Sequence, residues 1–190
     1  MKKLIAMLLA LTCVFGLVAC GGNADTTPET TEATVIKPAS ALEVLEKTWA
    51  AVADDNKFPV MGGDFENIVD GAPGAYSLTD EGLSSTLLIP EAEIANVDEA
   101  ASLVHGMMLN NFTCGAFKVA DAAAFAETMH GVISTNPWMC GMPEKMVIAT
   151  IGAEYVVAMF GVNDAVNPFE EKLVAAYPDA VIVYSEAITG

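Results

Sequence analysis

The run from Met146 to Phe160, MVIATIGAEYVVAMF, decides the fold. Two apolar segments flank Gly152-Ala153, and that spacing predicts a strand over Met146–Ile151, a two-residue hairpin turn, and a second strand over Glu154–Phe160. The second segment is apolar at odd and even positions alike. A strand of that kind needs cover on both faces, so it belongs in the middle of a sheet.

Working outward, Phe112–Val119 (FTCGAFKV) also reads as a strand. Asp121 caps a helix that carries Phe125, Met129, Val132 and Ile133 on its inner face. On the other side, Asn167-Pro168-Phe169-Glu170 sets a cap, a first-position proline and an acid at the start of a helix bearing Phe169, Leu173 and Tyr177. Pro178 stops that helix, and Ala180–Tyr184 is a further strand. The order from residue 112 is therefore β-α-β-β-α-β, the ferredoxin-like order of an α+β protein with an antiparallel sheet of about four strands. Its two helices are expected on one sheet face. A less regular α+β sheet built from the same elements is the alternative.

Two N-terminal helices are expected to cover the other face or an edge. Ser40-Ala41-Leu42-Glu43 is a capping box, followed by Leu42, Leu45, Trp49 and Val52 at helical spacing to about Asp54. Asp98 is a cap for a second helix, whose Ala100, Leu103, Val104, Met107 and Met108 form one stripe ending at Asn110-Asn111. Residues 56–78 are rich in turn formers, with at most a short helix near Phe65–Val69. Leu87–Ile89 is too short to assign.

At the N-terminus, Lys2 and Lys3 precede an uncharged apolar run, Leu4–Ala19, too short for a comfortable membrane span. The run ends Leu17-Val18-Ala19-Cys20, which resembles a bacterial lipobox. Residues 1–19 then read as a lipoprotein signal peptide, with Cys20 carrying a diacylglyceryl anchor and standing first in the mature chain. Two acyl chains suffice for stable anchoring to the extracytoplasmic face of the cell membrane. Residues 20–38, rich in threonine and scattered acids, read as a disordered tether spanning about 20 to 25 Å. Residues 39–190 form a single α+β domain.

Charge narrows the partners. Beyond Cys20 there are 25 acidic residues against 6 lysines, formally −19, and no arginine. Such a chain lacks the donors and the positive field that phosphate recognition requires, so nucleic acid is excluded as a partner.

Cys114 and Cys140 are the two cysteines left after the signal and the lipidated residue. Outside the cytoplasm a disulfide between them is the first expectation, closing a loop of about 26 residues with a gain of about 3 kcal/mol. Separate buried thiols are the second, and a redox or metal pair the third; no C-x-x-C motif is present. Trp138, beside Cys140 in NPWMCGMPEKM, is a candidate ligand contact, although core packing is the more frequent use of a lone tryptophan. His105 and His130 lack metal-ligand spacing and read as surface or boundary residues. Asp54-Asp55-Asn56 suggests a calcium site only weakly, because the regular calcium loop is missing. The many methionines, Met107, Met108, Met129, Met139, Met142, Met146 and Met159 among them, raise soft-metal or adaptable binding as one reading, but most fall on expected apolar faces, so core filling is the default. No catalytic motif, cofactor motif or metal motif is present, so neither a catalytic residue nor a cofactor is assigned.

With the lipobox, the tether, NNFTCGAFKV, NPWMCGMPEKM and GAEYVVAMFG in view, the chain resembles small uncharacterised lipoproteins of Gram-positive bacteria that carry a domain of unknown function. The resemblance covers roughly residues 98–165. It implies a surface-anchored α+β domain with paired Cys-Gly motifs at Cys114-Gly115 and Cys140-Gly141, and it implies no activity. The expected function is a lipid-anchored binding or accessory module for a protein or small-molecule ligand. A thiol-disulfide protein using Cys114 and Cys140 and a divalent-cation-binding surface protein are the alternatives.

Overall fold

In a computed structural model, which describes residues 36–189, the elements run as follows. Helix α1 (Ala41–Ala51) leads into three short strands, β1 (Val60–Gly62), β2 (Val69–Asp70) and β3 (Gly74–Tyr76), and a one-turn helix, α2 (Gly82–Ser85). Then come β4 (Val97–His105), β5 (Phe112–Val119), α3 (Ala122–Thr135), β6 (Lys145–Ile151), β7 (Tyr155–Gly161), α4 (Asn163–Ala176) and β8 (Ala180–Ala187). The expected signal peptide 1–19, Cys20 and most of the expected tether lie outside the described residues.

The strands form one antiparallel sheet in the order β2-β1-β4-β5-β7-β6-β8, with β3 pairing on the same edge of β4 as β1. The fold is thus α+β with an antiparallel sheet. β7 is buried at every residue, as a strand apolar at both parities requires when helices cover both faces. The turn before it is one residue longer than expected. Ile151 pairs with Tyr155, leaving Gly152-Ala153-Glu154 in the loop, and Gly152 supplies a positive φ of 60°.

The alternation of side chains sorts the core into two layers. Phe112, Cys114, Val147, Val157 and Met159 face α1 and α4. Phe117, Ile148, Val156, Ala158 and Phe160 face α3 and the α2 segment. The result is a three-layer helix–sheet–helix arrangement.

Four expectations about this architecture are corrected. Residues 98–108 are not a helix, because Ala100–Val104 lie in β4, paired with β5 on one side and with β1 and β3 on the other. An apolar run buried on both faces carries no period that distinguishes strand from helix. The β-α-β-β-α-β succession is present along the chain, but β8 lies beside β6, whereas the ferredoxin-like arrangement would set the last strand beside the first. The α3 and α4 helices cover opposite faces rather than one, and α1 packs with α4. Finally, α4 begins at Asn163, one turn before the expected cap, with Pro168 inside it. The Glu144 carboxylate, from the loop before β6, accepts hydrogen bonds from Asn163 N and Nδ2, both at 2.8 Å. It serves the helix N-terminus in place of the expected Asn167 cap.

Other expectations hold. Ser40 Oγ accepts from Glu43 N at 3.0 Å at the start of α1, and Asp121 Oδ1 accepts from Ala123 N and Ala124 N, both at 3.1 Å, at the start of α3. Residues 65–68 form no helix, and Val69 begins the short strand β2. The outer edge strand β8 carries a register irregularity opposite Ile148/Ala149, a bulge that blunts an otherwise long exposed edge.

Candidate functional site

One end of the sheet collects the chain's irregular segments. Antiparallel pairing brings the end of β4, the starts of β5 and β6 and the end of β7 to the same level, since Phe112 and Lys145 both register with Gly161. The loops 106–111 and 136–144 and the start of α4 therefore converge. Gly161 is needed at this junction, because a Cβ there would lie 2.3 Å from Asn111 O.

The two loops are tied by one side chain. Asn110 Nδ2 donates to Met139 O at 2.8 Å and to Gly141 O at 2.6 Å, joining segments 29 and 31 residues apart. Cys140 lies between those two carbonyls with φ +62°, a left-handed conformation that β-carbon-bearing residues seldom adopt. Such strain persists only where surrounding contacts impose it.

These loops display sulfur. Met107 is 86% exposed and Met139 80%, and Met108, Cys140 and Met142 are also exposed. Elsewhere Met129, Met146 and Met159 are buried and Met61 is half-buried, so every exposed methionine of the described residues sits on these two loops. Core filling therefore describes three of the methionines and not these four.

His105, at the end of β4, helps to shape the first loop. Its Nδ1 accepts from Met107 N at 3.1 Å, which leaves the ring proton on Nε2, and the ring stacks on Phe58 at 5.4 Å. A ring nitrogen committed to a backbone donor is unsuited to act as a general base. Beside it lies a polar cleft of about 510 Å³ lined by Phe58, His105, Asn111, Asn163, Asp164 and Asn167. Of its lining side chains, Asn167 accepts at Oδ1 from Lys145 Nζ at 2.8 Å, and Lys145 also donates to Glu170 Oε2 at 2.6 Å.

The expected disulfide is not formed, and both cysteines are free thiols. Cys114 is fully buried in the layer facing α1 and α4, where desolvation pushes its thiol far above the usual cysteine range. Cys140 is exposed on the loop at the sheet end. The two thiols are thus divided, one in the core and one on the surface. Trp138 is half-buried and packs on Phe160 at 4.8 Å, at the rim of the opposite layer. Its Nε1 is buried without a hydrogen-bond partner among the described residues.

The remaining candidates are engaged locally. Asp54 pairs with Lys57 at 2.9 Å, and Asp55 and Asn56 line the cleft. His130, on α3, stacks on Tyr184 at 3.9 Å and meets Glu186 Oε1 at 2.8 Å, fastening the helix to β8. Among the described residues, no three His, Cys, Asp or Glu side chains come together as a metal site.

Asn110, Met107, Met108, Met139 and Met142 were not predicted as site residues. Their signal is weak: Met107 and Met108 fall on the stripe of an expected helix, and core filling is the default reading of the methionines. No family model, no curated protein and no solved structure matches this chain, so the site is read from its own geometry.

Proposed function

We propose that the protein is a lipid-anchored extracytoplasmic binding module, held by a diacylglyceryl group on Cys20, that binds through the sulfur-bearing end of its sheet. The carrying observation is the segregation of the methionines, exposed on the two loops joined by Asn110 and buried or half-buried elsewhere. Exposed apolar side chains gathered in one place, unlike scattered ones, mark interaction sites. The anchoring rests on Lys2, Lys3, the apolar run and Leu17–Cys20. Among the described residues no helix is long and apolar enough to cross a membrane.

A binding role is favoured over catalysis because three titratable groups near this end are committed to structure. His105 holds a loop, Glu144 caps α4 and Lys145 is paired with Glu170.

The experiment is oxidative footprinting of whole cells against the purified protein, combined with incorporation of a clickable palmitate analogue. Incorporation is expected in the wild type and lost in Cys20→Ala. Met107, Met108, Met139 and Met142 are expected to oxidise several-fold more slowly in the cell envelope than in the purified protein, with the exposed Val181 as the unprotected control. Equal oxidation in both settings contradicts the binding role. Incorporation that survives Cys20→Ala contradicts the anchor.

A further inference from the structure

We propose that the sheet end formed by loops 106–111 and 136–144 binds a soft monovalent metal ion, Cu(I), with its redox-inert analogue Ag(I) as a faithful probe. This rests on the reading of that end as the binding surface and names what it takes.

The choice of metal follows from the donors. Thioethers and thiolates are soft ligands that select Cu(I), while carboxylates and carbonyls suit calcium and magnesium. The two loops present four thioethers, from Met107, Met108, Met139 and Met142, and one thiol, from Cys140, all exposed. Methionine serves adaptable apolar contact surfaces too, and what favours a metal here is the exposed thiol set among the thioethers. The chain uses leucine, isoleucine and valine freely in its core, yet only Leu109 joins the methionines on these loops.

Preorganisation supplies the second argument. Asn110 clamps the carbonyls on either side of Cys140, holding the residue at φ +62° with its side chain exposed between Met139 and Met142. His105 Nδ1 in turn accepts from Met107 N, which fixes the base of the other loop. Because that nitrogen is engaged and the proton is on Nε2, His105 is a supporting residue and not a ligand. Cys114 is buried in the core and takes no part.

Binding involves no change of oxidation state. Cu(I) forms bonds to thioether sulfurs and to the Cys140 thiolate, and the thiol proton leaves to solvent.

The test uses the full mature protein in detergent, without oxygen, in competition with a chromophoric Cu(I) chelator, and in a parallel Ag(I) titration followed by methionine methyl NMR. One equivalent of Cu(I) is expected to transfer from the chelator, and Ag(I) is expected to shift the methyl signals of the loop methionines while those of Met129, Met146 and Met159 stay in place. Cys140→Ser, and separately Met107→Leu with Met139→Leu, are each expected to weaken binding by about tenfold or more. The leucine variant preserves apolar character, so an apolar docking surface would tolerate it. The inference is overturned if no Cu(I) is transferred, or if both variants bind as the wild type does. Envelope protection of the four methionines without metal binding would sink this inference while sparing the binding-module reading.

Discussion

Phe112→Ala is expected to lower the stability of the domain by about 3 to 5 kcal/mol, with a fall in Tm on the order of 10 °C for a domain of this size. Phe112 is the first residue of β5 and fully buried. Its ring lies 5.2 Å from Phe58 and 5.4 Å from Phe169, so it joins the strand, the segment after α1 and helix α4. Removing it leaves a cavity between those two rings, which the surrounding helix and sheet fill only in part. Thermal unfolding followed by circular dichroism measures the effect. The exposed Val181→Ala serves as control, expected within about 0.5 kcal/mol of the wild type. A loss below about 1 kcal/mol for Phe112→Ala would mean that α4 does not pack as described.

The second large effect is expected at Asp64, 4% exposed in the loop after β1. Its Oδ1 accepts from Glu66 N at 3.0 Å and Asn67 N at 2.7 Å, and its Oδ2 from Ser77 N at 3.1 Å. The Asn67 side-chain amide adds a further donor at 3.0 Å. Burial alone would raise this carboxyl, but the donors from Asn67, Ser77 and Glu66 outweigh it and hold the pKa below the ordinary carboxylate value. A depressed folded-state pKa contributes stability that is present above the unfolded value, near 4, and is lost as pH falls through the folded value. Asp64→Asn removes that contribution and turns one acceptor into a donor facing donors. The expected cost is about 2 kcal/mol at pH 7, shrinking below pH 4, where the wild type loses its own advantage. Denaturant melts of both proteins at pH 7 and pH 3 measure it. A cost that is the same at both values would contradict the account of this loop.

What was legible in the sequence is what short-range periodicity encodes. The strands β5, β6 and β7 and helices α1 and α3 follow from local pattern and caps, such as Asp121 before Ala122 and Ser40 before Ala41. What was not legible depends on distant partners. Ala100–Val104 reads equally as helix or strand until its neighbours are known, and here those are β1, β3 and β5. The start of α4 at Asn163 depends on Glu144, 19 residues away. The position of β8 beside β6 reflects a pairing that no local rule dictates.

The candidate site divides along the same line. The segment holding Trp138 and Cys140 is flanked by Pro137 and Pro143, which mark it as a loop. Its junction with the Met107 loop rests on Asn110, whose neighbour Asn111 suggested only a helix end. The cysteines follow the same division: compartment and parity argue for a pair, but they do not place Cys114 in a closed core layer and Cys140 on an exposed loop.

The central claim, that this end of the sheet presents a free thiol among exposed thioethers, is tested most directly by alkylating the native, unreduced protein with a maleimide and mapping the product by mass. The account predicts rapid labelling of Cys140 alone, with Cys114 reacting only after denaturation. Labelling of neither cysteine until a reductant is added would mean that the two are joined, and would contradict it.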